Sequence, residues 1–166
     1  MITLKNVLVA TDFGEASEAA LAYGRALARS FGARLHIIHV VGSTAAWAGA
    51  EGYAFDPGEL QADMEESARK ALEALVRDDD RRDLSAQTVL RVSGTPALAI
   101  VTYAKDANLD LIVMGTHGRG GMAHVLMGSV AEKVVRTAPC PVLTVRHPEH
   151  EFVLPDALQV VTHARA

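Results

Sequence analysis

Leu109-Asp110-Leu111-Ile112-Val113-Met114-Gly115-Thr116-His117-Gly118-Arg119-Gly120-Gly121 sets a nearly continuous apolar run directly against a loop with four glycines in seven residues. The run reads as a strand covered on both faces, because a half-exposed strand would alternate apolar and polar positions. The glycines let the backbone approach a ligand closely and turn its N–H groups toward it. Arg119 adds the loop's only full cation. A few residues on, Gly128-Ser129 opens a segment in which Glu132 follows Ser129 by three, the spacing of a capping box. A helix N-terminus offers backbone N–H donors and a partial positive charge, so loop and helix together suit a phosphate. An ordinary glycine-rich connection with a serine cap is the weaker reading of so many glycines behind a buried strand.

Working outward, the same grammar repeats. Val7 to Val9, Leu35 to Val41, Gln87 to Val92 and Val142 to Val145 are further short strand-like runs. Helix-period segments lie between them. Ala20, Gly24, Leu27 and Phe31 form one inward stripe closed by Gly32, and Leu60, Met64, Ala68, Leu72 and Leu75 form another. Thr95-Pro96 reads as an N-cap followed by proline at the first helical position. The predicted order is β-α-β-α-β-α-β-α-β. Such alternation implies a single α/β domain with an open parallel five-stranded sheet and helices on both faces. Asp78-Asp79-Asp80-Arg81-Arg82-Asp83 reads most simply as a solvated turn between helix and strand.

Composition narrows the function. The 166 residues carry 16 Lys plus Arg against 20 Asp plus Glu, a net charge of −4, which offers no general attraction to nucleic acid or to an anionic membrane. No apolar stretch approaches the ~20 residues that a bilayer requires, and the opening residues lack the pattern of an export signal. A single cysteine fits a reducing compartment, so cytoplasm is the expected location.

Ligands of open parallel sheets sit at the carboxyl ends of strands where strand order reverses. The first strand ends in Ala10-Thr11-Asp12. If it lies beside the strand ending at Gly115, Asp12 and Gly115 face one crevice. Asp12 then suits ribose hydroxyls or a divalent cation, and capping of the first helix is an equally good and compatible role. Other phosphate loops fit poorly. The GxxxxGK[ST] frame is absent, and Gly118-x-Gly120-x-x-Ala123 lies neither in the first turn nor directly at a helix start. The histidines do not suggest a metal held by protein alone, since His36 and His39 are three apart on a strand and point to opposite faces. Cys140, between two prolines, reads as a small buried residue rather than a nucleophile. Residues 42–58 hold Trp47, Tyr53 and Phe55 without periodicity, aromatics that either cover a ligand or partner or fold onto the adjoining helix. A tail over 148–166 follows the domain at 1–147; its apolar Phe152-Val153-Leu154 either packs on a second subunit or stays disordered.

Gly115-x-x-Gly118, nine residues, then Gly128-Ser129 resembles the G-x2-G-x9-G-[S/T] signature of ATP-binding universal stress proteins. The opening Val7 to Asp12, the His39-Val40 end of the second strand run, and Ala138-Pro139-Cys140-Pro141-Val142 are similar to that family as well. The resemblance covers about residues 2 to 146. It implies strand order 3-2-1-4-5, an adenine nucleotide as ligand, and a homodimer paired through the last strand. Carried over by position, it assigns the nucleotide to Thr11, Asp12, Val40, Met114, Gly115, Gly118, Gly128, Ser129 and Val130. Asp12 is similar to the acidic residue near the nucleoside, Val40 offers backbone to adenine, Met114 and Gly115 line the ribose, and Gly118, Gly128, Ser129 and Val130 surround the phosphates; Arg119 joins them as the loop's cation, and Thr11 joins the site beside Asp12. One position departs. Gly14 stands where the family often has Ser, a change worth only a few tenths of a kcal/mol as a helix cap, though it removes a hydroxyl from phosphate or metal.

The expectation is an ATP-binding stress-response regulator, a dimer whose nucleotide state alters contacts with a protein partner that the sequence does not name. Mg would come with the nucleotide, with Asp12 as its contact. Hydrolysis, if any, is expected to be slow, because the loop offers phosphate binding without an obvious base for water. A nucleotidyl or phosphoryl transfer enzyme on the same fold, and a dimerisation module without nucleotide, are the alternatives.

Overall fold

A computed structural model describes residues 1–45, 56–116 and 127–148. The elements run β1 (Asn6–Ala10), α1 (Glu15–Phe31), β2 (Arg34–Val41), α2 (Pro57–Leu75), α3 (Asp78–Leu84), β3 (Gln87–Val92), α4 (Pro96–Asp106), β4 (Leu111–Gly115), α5 (Ser129–Thr137) and β5 (Val142–Val145). All strand pairs are parallel and their order is β3-β2-β1-β4-β5, the doubly wound arrangement expected. The chain thus leaves β1 toward one edge for β2 and β3, then returns to its other side for β4 and β5. That reversal opens the sheet's crevice between β1 and β4.

Strand alternation divides the core in two. Val7, Val9, Leu35, Ile37 and Val113 pack against α1, α2 and α3, while Leu8, Ala10, Ile38, Ile112 and Met114 pack against α4 and α5. The apolar runs therefore contain no polar stripe, since each residue meets a helix whichever face it takes. Contact between α1 and the sheet depends on Gly24. A Cβ there would stand 2.3 Å from Val9 Cγ2, so only glycine lets the helix lie this close. Gly32, at φ 63, stops the helix in the left-handed conformation as read.

Three local expectations are corrected. Phe31, the last residue of α1, is exposed and does not continue the inward stripe. The first helical residue of α5 is Ser129, with Gly128 as its extended N-cap, so the capping box assigned to Ser129 and Glu132 does not form. The acidic run is no solvated turn: it forms α3, and Asp80 is fully buried. Arg25 Nε donates to Asp80 Oδ2 at 2.8 Å, and the Arg77 backbone N–H donates to the same oxygen at 3.1 Å. Arg29 reaches Asp80 Oδ1 at 3.4 Å and also pairs with Asp79. The second Arg25 nitrogen caps the end of α2 through the Leu75 carbonyl at 2.6 Å. A charge so enclosed is tolerated only when paired and hydrogen-bonded on several sides.

Candidate functional site

Parallel pairing of Ala10 with Ile38 on one side and with Met114 on the other brings three strand ends to one edge. Thr11 and Asp12 leave β1 between the Val40 end of β2 and the Gly115 end of β4. The Thr11 N–H still donates to the Ile38 carbonyl at 2.9 Å, so β1 pairing continues to the edge of the crevice. The turn beyond it is tightly specified. Phe13 N–H donates to Thr11 Oγ1 and Gly14 N–H to Asp12 Oδ1, each at 3.0 Å. Thr11 Oγ1 and Ser17 Oγ lie 3.0 Å apart, and the Ser17 hydroxyl donates to the Gly14 carbonyl at 2.8 Å. Asp12 therefore does serve the start of α1, through a local turn rather than as its N-cap, which is Gly14. It is half-buried at the rim.

Across the crevice, the Thr116 N–H donates to the Val145 carbonyl at 2.8 Å, and the Thr116 carbonyl accepts from Gly128 N–H at 2.6 Å. These bonds set the start of α5 immediately beyond the end of β4. The N-cap Gly128 has no side chain with which to cap α5, and the backbone N–H groups of Ser129, Val130 and Ala131 have no partner within the helix. Ser129 is exposed, whereas Val130 is half-buried against the α4–α5 side of the core. Three N–H donors, a hydroxyl and the positive end of the helix dipole are the kinds of group that receive an anion. Gly118 and Arg119, also expected here, lie outside the described residues, as do 46–55 with their three aromatics and the tail from residue 149.

Two of the assigned residues have reasons of their own. A Cβ on Gly115 would come within 2.9 Å of the Ala16 backbone, so this glycine is required by the first turn of α1. Met114 is buried among the α4–α5 residues, which leaves only its backbone for a ligand.

The sequence reading gives no site role to Phe13 or His39. Phe13 has φ 65, and its ring lies against that of His39 with centroids 4.4 Å apart. Together with Val40, Asp63, Met64 and Ser67 they line a groove of about 520 Å³ between the end of β2 and α2. An aromatic directly after the strand-ending aspartate was the available signal, but periodicity assigns no side to a turn residue.

The remaining titratable candidates serve the fold. His36 is buried on the α4 side, its Nδ1 2.7 Å from the Tyr103 hydroxyl and 2.9 Å from Gln87 Nε2, with no hydrogen-bond partner for its own Nε2 among the described residues. Burial, and secondarily the charge of Arg34, lowers its pKa to about 4. His39 bonds instead toward the α1 side, so the two histidines do face opposite ways. Burial and the charge of Asp110 push the Cys140 thiol upward, away from nucleophilic thiolate character. Among the described residues, no three His, Cys, Asp or Glu side chains cluster to hold a metal ion, and no helix is long and apolar enough to cross a membrane.

This edge, with strands ordered 3-2-1-4-5, coincides with the span over which residues 3–146 match the model of the universal stress protein family. The chain belongs to the universal stress protein family. Universal stress protein MJ0531 of Methanocaldococcus jannaschii is 34% identical over 149 residues, covering 89% of this chain and 85% of that one. Among solved structures, universal stress protein UspA from Lactobacillus plantarum superposes with a TM-score of 0.72 at 26% identity, covering 88% of this chain and 100% of that one. A universal stress protein in complex with cAMP superposes with a TM-score of 0.58 at 25% identity, covering 87% of this chain and 98% of that one. The strand order that the resemblance implied is thus the order of a universal stress protein.

Proposed function

We propose that this universal stress protein binds ATP in the β1–β4 crevice and acts as a nucleotide-dependent regulatory module. The observation that carries the reading is the first turn of α5, with glycine as its N-cap, set at the same sheet edge as Asp12. The donors match the parts of the ligand. Backbone N–H groups of Ser129, Val130 and Ala131 suit phosphate oxygens, with Gly128 as the side-chain-free N-cap that lets a phosphate approach them and Arg119 of the glycine-rich loop as the neutralising cation. The Asp12 carboxylate suits ribose hydroxyls, with Thr11, Met114 and Gly115 lining the sugar through backbone. The backbone of Val40 suits the base, and Gly118 completes the phosphate loop. The cAMP complex of a relative supports an adenine nucleotide as the ligand class. Mg bound to the phosphates would extend the reach of Asp12 beyond the ribose.

In this reading hydrolysis is slow or absent, and nucleotide occupancy alters contacts with a protein partner. The working unit is a homodimer paired through the edge strand β5, in the cytoplasm, with 1–147 as the nucleotide-binding domain and 148–166 as a tail. Mass spectrometry of small molecules released from freshly purified protein, followed by calorimetry with ATP, tests the proposal. Released adenine nucleotide and saturable ATP binding are expected. An empty protein that ATP fails to titrate overturns it.

A further inference from the structure

Phe13 adopts the left-handed region at φ 65, a conformation costly for a bulky residue and held only when its surroundings over-determine it. Bonds within the turn support it: Phe13 N–H donates to Thr11 Oγ1, Gly14 N–H to Asp12 Oδ1, and Ser17 Oγ lies against Thr11 Oγ1 and donates to the Gly14 carbonyl. His39 acts from outside. Its Nδ1 lies 2.8 Å from the Thr11 carbonyl oxygen, and its ring lies against Phe13. A carbonyl oxygen only accepts, so Nδ1 carries the proton and donates; this contact assigns the tautomer. One side chain of β2 therefore grips the residue before Asp12 through a hydrogen bond and the residue after it through ring packing.

We infer that His39 is a positioning residue for the ribose contact, holding the strained β1–α1 turn so that the Asp12 carboxylate stays at the crevice edge where the nucleotide's hydroxyls arrive. The inference rests on the nucleotide reading proposed above and adds a role that no ligand contact of His39 is needed to explain. Loss of the Nδ1–H bond and the ring removes both grips, and Phe13 can then relax to negative φ and carry Asp12 with it. The base and phosphate contacts, made by Val40 and by α5, do not pass through this turn.

Calorimetry with ATP and with 2′,3′-dideoxy-ATP on wild type and His39→Leu tests this. Wild type should prefer ATP. His39→Leu should bind ATP about tenfold more weakly, the factor of one hydrogen bond to a charged group, yet bind the dideoxy nucleotide within about twofold of wild type. His39→Asn, whose amide nitrogen can take the place of Nδ1, should recover most of the ATP affinity. If His39→Leu fails to fold, His39→Phe provides the second variant, because it keeps a ring against Phe13 while removing the Nδ1–H donor to the Thr11 carbonyl, and a smaller loss of the same selectivity is expected. Equal weakening toward both nucleotides, or none toward ATP, overturns the role of His39 while leaving ATP binding intact. Failure of wild type to bind ATP at all overturns the nucleotide reading and this inference with it.

Discussion

Asp80 and Asp12 are two carboxylates within reach of the same helix, α1, and they are used in opposite ways. Asp80 is enclosed, with Arg25, Arg29 and the Arg77 backbone N–H as donors, and it locks α3 onto α1 and the end of α2. Asp12 is half-buried at the rim, where one oxygen closes a short turn with Gly14. The first arrangement consumes its charge in the fold. The second sits half-buried at a strand edge, where the proposed nucleotide would meet it. The same residue type thus serves architecture when enclosed by the fold and, in the proposed function, a ligand when held at the rim.

The largest test of that contrast is Asp80→Ala. Removing one partner strands the buried Arg25 guanidinium, so stability should fall by about 3–5 kcal/mol in urea unfolding while folded protein keeps its ATP affinity. A loss below about 1 kcal/mol would show the junction to be decorative. The next effect concerns His36, another polar group enclosed by the fold. Its folded pKa of about 4 lies below the unfolded value of 6.5, so the unfolded chain binds more protons between those limits. Stability contributed by the neutral ring is complete above pH 6.5 and is lost as pH falls toward 4. The expected loss is roughly 2–3 kcal/mol, read as a falling urea midpoint that His36→Leu flattens over the same window. An unchanged slope in that variant would assign the acid sensitivity elsewhere. The smallest effect on stability belongs to Asp12→Asn. The Asn side-chain oxygen can still accept from Gly14, so unfolding should shift by less than about 0.5 kcal/mol, whereas ATP affinity should fall about tenfold. The reverse pattern, an unstable protein with normal affinity, would place Asp12 with Asp80.

Much of the molecule was legible in order of residues. Val7 to Val9 and Leu111 to Met114 could be read as central strands because burial on both faces leaves an unbroken apolar run. The uninterrupted alternation of strand and helix gave the parallel sheet, and the glycine spacing gave the family. α3 was not legible. Its six charged residues show no apolar period, and what lets Asp80 among them be buried is Arg25, 55 residues away. The cap of α5 was misplaced by one residue, because Ser129 fits a local motif while the Gly128–Thr116 bond decides where the helix begins. Gly115 was legible as a glycine that must be glycine, but its cause is the backbone of Ala16 rather than a ligand.

The chain by itself determined the strands, most of the helices and the residue types at the phosphate end, since these depend on period and on local backbone chemistry. Tertiary structure alone decided that Thr11, Val40, Gly115 and Ser129 share one edge, that Phe13 is held at positive φ by His39, and that one aspartate is enclosed while the other stays at the rim. Such outcomes depend on contacts between segments far apart in sequence, and neither period nor propensity carries that information.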